Sequence, residues 1–247
     1  MQMIHRAALG LALLLAGTGA HALTATELVA RNIEAKGGAA ALQAVKSLRR
    51  EGRLIANGGR FVFELRETKQ RPDSIRTEIS MQGLAQVQSY DGKEGWRIDP
   101  FGGRKDPERM PADDVREYAE DATIDGVLPD AAAAGSVIEY LGTEDIDGTP
   151  AHKLKVVRKD GGLQYVYLDP DYFLEIRVES QRVVRGVKRT SVTDYGNYEK
   201  VGGVFWPLSI ESGTKGGREP DKYEYQSAVV NPEIAPDYFA FPAAAQK

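Results

Sequence analysis

The sequence has 247 residues, a formal net charge of −4 at pH 7, three histidines and no cysteine. The mildly acidic balance argues against a nucleic-acid-binding protein, because binding phosphates requires a basic face. The lack of cysteine excludes disulfides and thiolate sites, so we expect the hydrophobic core alone to stabilise the fold.

The first residues have the three parts of a secretory signal peptide: a basic start at Met1–Arg6, an apolar run at Ala7–Leu15, and a small-x-small cleavage site at Ala20-His21-Ala22. The run is too short for a transmembrane helix, which disfavours a retained anchor as the alternative. We expect cleavage after Ala22 and export to the periplasm. No cysteine follows the site to receive a lipid, and His152 is the one histidine of the processed chain.

Two short helices open the processed chain. Thr24 and Glu27 have the spacing of a capping box, and the apolar residues that follow recur at helical spacing. Gly37-Gly38 is typical of a helix end. A second helix is predicted over Ala39–Lys46, and the chain then changes to the period-two alternation of β-strands.

The alternating segments predict a single, mainly β domain of the α+β class over residues 23–247. Asn57-Gly58-Gly59 favours a left-handed hairpin turn, and no βαβ alternation indicates a parallel sheet. About eleven or twelve antiparallel strands are expected. They are Leu48–Ala56, Arg60–Lys69, Ser74–Met81, Leu84–Tyr90, Gly95–Ile98, Ser136–Glu144, Ala151–Arg158, Leu163–Leu168, Phe173–Val184, Val187–Tyr195, Val204–Ser212 and Lys222–Val229.

One amphipathic helix interrupts the strands. Pro111 suits a first helical position, and the apolar residues Val115, Tyr118, Ala119 and Ala122 share one face. Glycines and prolines flank it on both sides. Such a helix has only the sheet to pack on, either as a flap that moves or as a fixed plug that completes the core.

Few residues could carry chemistry. His152 lies in a predicted strand, where a lone histidine is more often a satisfied core or rim residue than a base, and no Gly-x-Ser-x-Gly nucleophile motif is present. Asp145, Asp147 and Gly148 do not keep the spacing of a calcium loop. We therefore expect no catalytic residue, metal or cofactor, with a hydrolase that uses only Asp and Glu as the alternative.

Several short motifs resemble exported proteins of the outer-membrane lipoprotein-sorting family, which is similar to the LolA/LolB-like superfamily. The motifs punctuate turns and strands along nearly all of the processed chain. They are Glu27-Leu28-Val29-Ala30 with Lys36-Gly37-Gly38, Tyr90-Asp91-Gly92-Lys93-Glu94-Gly95-Trp96, Asp194-Tyr195, Gly203-Val204-Phe205-Trp206-Pro207 and Phe239-Ala240-Phe241-Pro242.

The resemblance implies an incomplete antiparallel β-barrel whose concave face is covered by helices, with acyl chains bound between them. It also implies lipid or lipoprotein acyl chains as partners, with an inner-membrane transporter or an outer-membrane acceptor. A basic residue on an early strand latches the lid in such carriers. Arg60 and Arg66 lie on a suitable strand, but no local motif selects either.

The predicted function is a periplasmic carrier or sensor that binds a lipid or the acyl part of a lipoprotein and is not an enzyme. The alternative is an envelope regulatory module, similar to a stress sensor, that binds a protein partner. Inward positions of the strands and the inserted helix give the expected lipid-binding cavity. Its residues are Phe61, Phe63, Leu65, Trp96, Ile98, Val115, Tyr118, Leu154, Val156, Tyr165, Tyr167, Leu174, Ile176, Trp206 and Leu208.

Overall fold

The computed structural model describes residues 23–159, 161–184 and 187–242. The expected signal peptide and its cleavage site, residues 1–22, lie outside these ranges. The helices are α1 (Ala25–Ala35), α2 (Ala39–Ala44), α3 (Ala112–Ala119), a 3₁₀-helix (Glu120–Ala122) and α4 (Val127–Ala133). In the described part of the chain, no helix is both long enough and apolar enough to cross a membrane.

The described residues also form one open antiparallel sheet of thirteen strands, ordered β6-β5-β4-β3-β2-β1-β13-β12-β11-β10-β9-β8-β7. This confirms the predicted α+β class with an incomplete barrel. The strands are β1 (Ser47–Ala56), β2 (Phe61–Gln70), β3 (Ser74–Met81), β4 (Leu84–Tyr90), β5 (Gly95–Asp99), β6 (Arg104–Arg109), β7 (Val137–Ile146), β8 (Thr149–Val157), β9 (Leu163–Leu168), β10 (Glu175–Val184), β11 (Val187–Val201), β12 (Val204–Thr214) and β13 (Asp221–Val230).

The local predictions hold in most places. The Thr24–Glu27 capping box is formed, and Asn57, Gly58 and Gly59 all have positive φ angles. Two elements were missed. Strand β6 contains Pro107 and pairs only with β5, and proline is tolerated at such an edge. Helix α4 begins after Gly126 and has Pro129 in its first turn, where a helix needs no amide donor.

The residues between β6 and β7 cross from one edge of the sheet to the other, because these consecutive strands lie at opposite edges. We call residues 112–133, which hold α3, the 3₁₀-helix and α4, the flap. Helix α1 packs beside α4, and Leu28 of α1 and Leu128 of α4 share a buried cluster with Leu154 and Val166 of the sheet. The face that the helices cover is called the inner face, and the opposite one the outer face.

The C-terminal residues 231–242 cover part of the outer face. The indole Nε1 of Trp96 and the hydroxyl of Ser89 each donate a 2.9 Å hydrogen bond to the carbonyl of Phe239. The ring of Phe241 packs edge-on against Trp96, and the guanidinium of Arg76 lies over Tyr238. The Phe239-Ala240-Phe241-Pro242 motif therefore packs on the sheet from outside.

Gly37 lets the end of α1 approach the β11–β12 turn. Its φ is +124°, and a Cβ at this position would lie 2.2 Å from the carbonyl oxygen of Gly203. The adjacent carbonyl of Lys36 accepts a hydrogen bond from the amide of Phe205 at 2.8 Å. This close approach fixes Lys36, whose side chain reaches the interior of the molecule.

We predict that Gly37→Ala lowers the free energy of unfolding by about 3 kcal/mol or more, because backbone strain and a steric clash add. Gly142→Ala is the matched control, since Gly142 also has a positive φ but open space around its Cβ position. That control should cost only about 1–2 kcal/mol. Urea unfolding of both variants measures the difference, and equal losses would contradict the proposed close approach.

Candidate ligand-binding cavity

The flap is held to the inner face on two sides. On the first side, the hydroxyl of Tyr118 donates to the carbonyl of Gln88 at 2.9 Å, and Lys69 Nζ donates to the carbonyl of Thr123 at 3.2 Å. On the second side, Arg182 of β10 pairs with Glu120 and, at 3.3 Å, with Glu117. The flap thus bridges the two halves of the sheet through side chains that come from both.

A basic side chain on an early strand does contact the flap, but it is neither of the two arginines considered from sequence. Arg60 is exposed at the β1–β2 turn. Arg66 lies on the outer face and pairs with Glu51 at 2.8 Å. Lys69, near the end of β2, occupies the position that reaches the flap.

Beneath the flap lies a cavity of about 430 Å³, which we call the inner cavity. One part of its wall is apolar and comes from α2, the flap and strands on both sides of β1. This apolar part includes Leu42, Leu48, Ile75, Ile124, Val127, Val178, Val204, Phe205, Trp206 and Ile210. The inner cavity also continues into an apolar cluster, because Ile210, Tyr223 and Tyr225 belong to both and pack with Leu54, Leu65 and Leu208.

The other part of the wall is charged or hydroxyl-bearing. Five tyrosines line it, together with serine and threonine side chains from β10, β11 and β12. The tyrosines are Tyr118, Tyr195, Tyr198, Tyr223 and Tyr225, and the charged residues are Lys36, Arg50, Glu67, Lys69, Glu117, Glu120, Asp121, Asp125, Glu175 and Arg182. The inner cavity therefore offers both a surface for a hydrocarbon chain and groups for a polar one.

Arg50 and Glu67 form a buried ion pair in this wall. Their closest atoms, Nη2 and Oε1, are 2.7 Å apart, and both side chains are nearly inaccessible. Arg50 also donates to the carbonyl of Pro207 and lies over the ring of Tyr225. Burial alone would lower the pKa of Arg50 and raise that of Glu67, but their mutual attraction overrides it, so the pKa of Arg50 is raised and that of Glu67 lowered.

Lys36 and Glu175 form a second buried pair at 2.7 Å. Lys36 Nζ also donates to the carbonyl of Asp125 in the flap, and the hydroxyl of Tyr198 donates to the carbonyl of Glu175. The other carboxylate oxygen, Glu175 Oε2, is buried and has no hydrogen-bond partner among the described residues.

Asp121 brings a further carboxyl to the inner cavity. The protein encloses Asp121 on most sides. Its side chain nevertheless faces the open space of the inner cavity and is accessible to water. Burial raises the pKa of Asp121 to about 6. Attraction by Lys69 partly offsets this rise, and repulsion from Glu67 adds to it. The carboxyl is therefore ionised at neutral pH at a cost in free energy.

The structure brings two of the predicted lining residues to the inner cavity, Tyr118 and Trp206. Leu65 and Leu208 lie in the adjoining apolar cluster, with Phe63 packed against it, while Leu154 and Val156 are buried under α1 and α4. Val115 belongs to α3, and its side chain lies close to Gly95 of β5. Phe61 is exposed at the start of β2. Leu174 precedes β10, and Ile176 lies at a bulge in that strand.

The other four face away from the inner cavity. Trp96 and Ile98 lie on the outer face, because Gly95 and Arg97 take the inner positions of β5. Tyr165 and Tyr167 also lie outside, where Lys153 contacts both rings. Each is in a strand that alternates as predicted. The register of each strand against its neighbours, which the sequence does not show, determines which set points inward.

Sequence reasoning missed the charged residues of the inner cavity. The alternation that predicts an inward position for Phe61, Phe63 and Leu65 also carries Glu67 and Lys69 to that face. Charged residues that continue an inward series were thus a usable signal. His152 lies elsewhere, with its Nδ1 3.0 Å from the hydroxyl of Tyr140 and its ring stacked on Phe173. Burial and the charge of Arg31 lower the pKa of His152.

Several solved structures share this architecture. A domain described as an outer membrane lipoprotein-sorting protein from Vibrio parahaemolyticus aligns with a TM-score of 0.60 and 13% identity over 87% of this chain and 97% of its own. A LolA superfamily protein from Nitrosomonas europaea gives 0.56 and 15% identity over 88% and 98%. A DUF1329 family protein from Desulfovibrio piger gives 0.56 and 13% identity over 87% and 96%.

No family model matches the sequence, and no curated protein matches it. At identities of 13–15%, the likeness to solved structures concerns the fold. It confirms that the chain has the LolA-like fold that the sequence motifs imply.

We predict that Glu67→Gln lowers the free energy of unfolding by about 3 kcal/mol, because Arg50 stays buried without its counter-charge. The control is Glu224→Gln, which removes the partner of Arg53 in an exposed pair and should cost less than about 1 kcal/mol. The double variant Arg50→Met/Glu67→Leu should recover much of the loss. Denaturant unfolding that gives Glu67→Gln and the control the same cost would contradict this role.

We predict that Asp121→Asn changes how stability depends on pH. The pKa of Asp121 is raised on folding, so its favourable contribution is complete below about pH 4 and is lost as pH rises through about 6. The variant lacks this loss and should be more stable relative to the native protein at pH 8 than at pH 4.5. Thermal unfolding at both pH values measures the difference, and parallel pH profiles would refute the assignment.

Proposed function

We propose that the protein binds a lipid, or the acyl part of a lipoprotein, in the inner cavity and carries or senses it in the cell envelope. The observation that carries this proposal is the inner cavity itself, which lies between the flap and the inner face and has an apolar wall. Its volume of about 430 Å³ is within the usual range for small-molecule sites. The LolA-like fold supports the same proposal.

The energy of binding would come mainly from the hydrocarbon chain. Each methylene removed from water contributes about 0.8 kcal/mol, so a chain of about ten methylenes gains roughly 8 kcal/mol before ordering costs. The chain would lie along the apolar wall and continue over Leu54, Leu65 and Leu208, which adjoin the inner cavity. Binding of this kind needs no catalytic group, and we propose that the protein is not an enzyme.

The polar wall favours a ligand that also has a hydrogen-bonding end. A purely apolar molecule would separate the Asp121 carboxylate and the tyrosine hydroxyls from water. A hydroxyl or amide group of the ligand could donate to the Asp121 carboxylate. We therefore propose an amphiphile with an uncharged polar end as the ligand class.

The expected export would place this binding step in the periplasm. Lipids and lipoproteins that cross this space must leave one membrane and enter another, so a carrier needs a donor and an acceptor. An inner-membrane transporter and an outer-membrane acceptor are the proposed partners in that role.

The two tryptophans allow a direct test, since Trp206 lines the inner cavity and Trp96 lies on the outer face. Trp96→Phe leaves the cavity reporter, and Trp206→Phe leaves the outer-face control. We expect a monoacylglycerol with a brominated stearoyl chain to quench the fluorescence of Trp206 saturably and to leave that of Trp96 nearly unchanged. The unbrominated lipid corrects for quenching by other causes.

Equal quenching of both tryptophans, or no saturable quenching of Trp206, would rule out binding in the inner cavity. The polar end of the ligand is tested by competition against the bound brominated lipid. Monoacylglycerol should compete about tenfold better than the fatty acid methyl ester of the same chain, because a hydrogen bond to a carboxylate contributes about 1.5–3 kcal/mol. Equal competition by the two lipids would contradict a role for the polar wall.

A further inference from the structure

The antiparallel order gathers the strand ends at two rims of the sheet. The upper rim, as we call it, is formed by the turns that follow β1, β3, β5 and β12, by the described residues next to the end of β8, and by the strand ends on the same side, which include the end of β10 and the starts of β7 and β11. The turns that follow β2, β4, β7, β9 and β11 form the lower rim. The two rims differ in both apolar exposure and charge.

Most of the large apolar side chains that the described residues expose lie at the upper rim. From the first half of the sheet come Phe61, Val62, Leu84 and Phe101. From the second half come Val137, Val157, Val183 and Val187, whose exposed fractions range from 36% to 73%. Only Leu141, Tyr172 and Val229 of this group lie elsewhere among the described residues. Large apolar side chains that are exposed together at one end of a protein are typical of an interaction site.

Exposed basic residues accompany them. Arg60, Arg104, Lys105, Lys188, Arg189 and Arg218 lie at the upper rim, and the acidic residues described there are Asp99, Asp106, Glu219 and Asp221. The lower rim has the opposite balance, since Arg71 and Lys93 at its turns are outnumbered by acidic residues. These acidic residues are Asp73, Asp91, Glu94, Asp145, Asp147, Asp169 and Asp171. The basic residues thus coincide with the apolar ones, although the whole chain is acidic.

We propose that the upper rim docks on the surface of a bilayer that contains anionic lipids. Apolar side chains at turn tips can enter the boundary between headgroups and acyl chains, and nearby lysine and arginine side chains are attracted to anionic headgroups. A partner protein with an apolar patch would contact the same apolar side chains, but the surrounding basic residues favour a bilayer with anionic lipids.

Docking in this orientation would turn toward the bilayer the side of the apolar cluster of Leu54, Leu65 and Leu208 that lies next to the upper rim. Phe63 packs against that cluster and contacts Phe101 of the upper rim, with 5.5 Å between ring centroids. The inference goes beyond the proposed function, because the rim can dock whether or not the inner cavity is filled.

The test is co-sedimentation of the processed protein, purified after export, with vesicles of phosphatidylethanolamine and phosphatidylglycerol. We expect binding that weakens with added salt and is at least several-fold weaker to phosphatidylcholine vesicles. The affinity of the rim variant Phe61→Ser/Phe101→Ser/Val187→Ser for these vesicles should be lower by a factor of about ten or more. The matched control, Leu141→Ser/Tyr172→Ser/Val229→Ser, removes three apolar side chains elsewhere and should bind as the native protein does.

No binding to either vesicle, binding that ignores lipid charge, or equal losses in the two variants would overturn the proposal. Self-association that only the rim variant abolishes, without vesicle binding, would assign the upper rim to a second copy of the chain instead. Quenching of Trp206 by the brominated lipid is measured without vesicles on the Trp96→Phe variant, purified in the same way. Failure of membrane docking is thereby distinguished from failure of cavity binding.

Discussion

The pairing of the first strand with the last is the constraint on which the rest of the structure depends. Strand β1 pairs with β13 in the middle of the sheet, with Leu48 opposite Val230 and Ile55 opposite Lys222. This pairing puts β6 and β7, which follow each other in the chain, at opposite edges. The residues between them must cross a face of the sheet, so the crossing segment becomes the flap, and the space that it spans becomes the inner cavity.

Buried charged residues make part of the wall of the inner cavity polar. Removing a charged side chain from water is costly, and a buried ion pair is weak evidence of added stability. Arg50 with Glu67 and Lys36 with Glu175 nevertheless lie in the wall of the inner cavity, at the level where the flap meets the sheet. Lys36 also contacts the flap itself through the carbonyl of Asp125. The pairs join the sheet, α1 and the flap, and they supply the polar groups that an amphiphilic ligand would need.

Local structure can be predicted from this sequence more reliably than the contacts between distant side chains. The Thr24 capping box and the Asn57-Gly58-Gly59 turn depend on neighbours in the chain, and both are present as predicted. The side of the sheet on which Trp96 lies depends on register and on a C-terminal segment more than 140 residues away, whose Phe239 carbonyl is bonded to the indole. The same holds for Lys69, whose contact with the flap at Thr123 joins residues 54 positions apart. Glu67 and Arg50, by contrast, are paired within the β1–β2 hairpin.

The central claim is that the inner cavity holds an amphiphile in the cell. Native mass spectrometry of the protein, purified under mild conditions from the organism that encodes it and followed by lipid extraction, tests this most directly. We predict a population whose mass exceeds that of the polypeptide by that of an acyl-bearing lipid, and recovery of that lipid in the extract. A well-folded protein that shows only the mass of its polypeptide, and takes up no lipid when lipid is added, would contradict the claim.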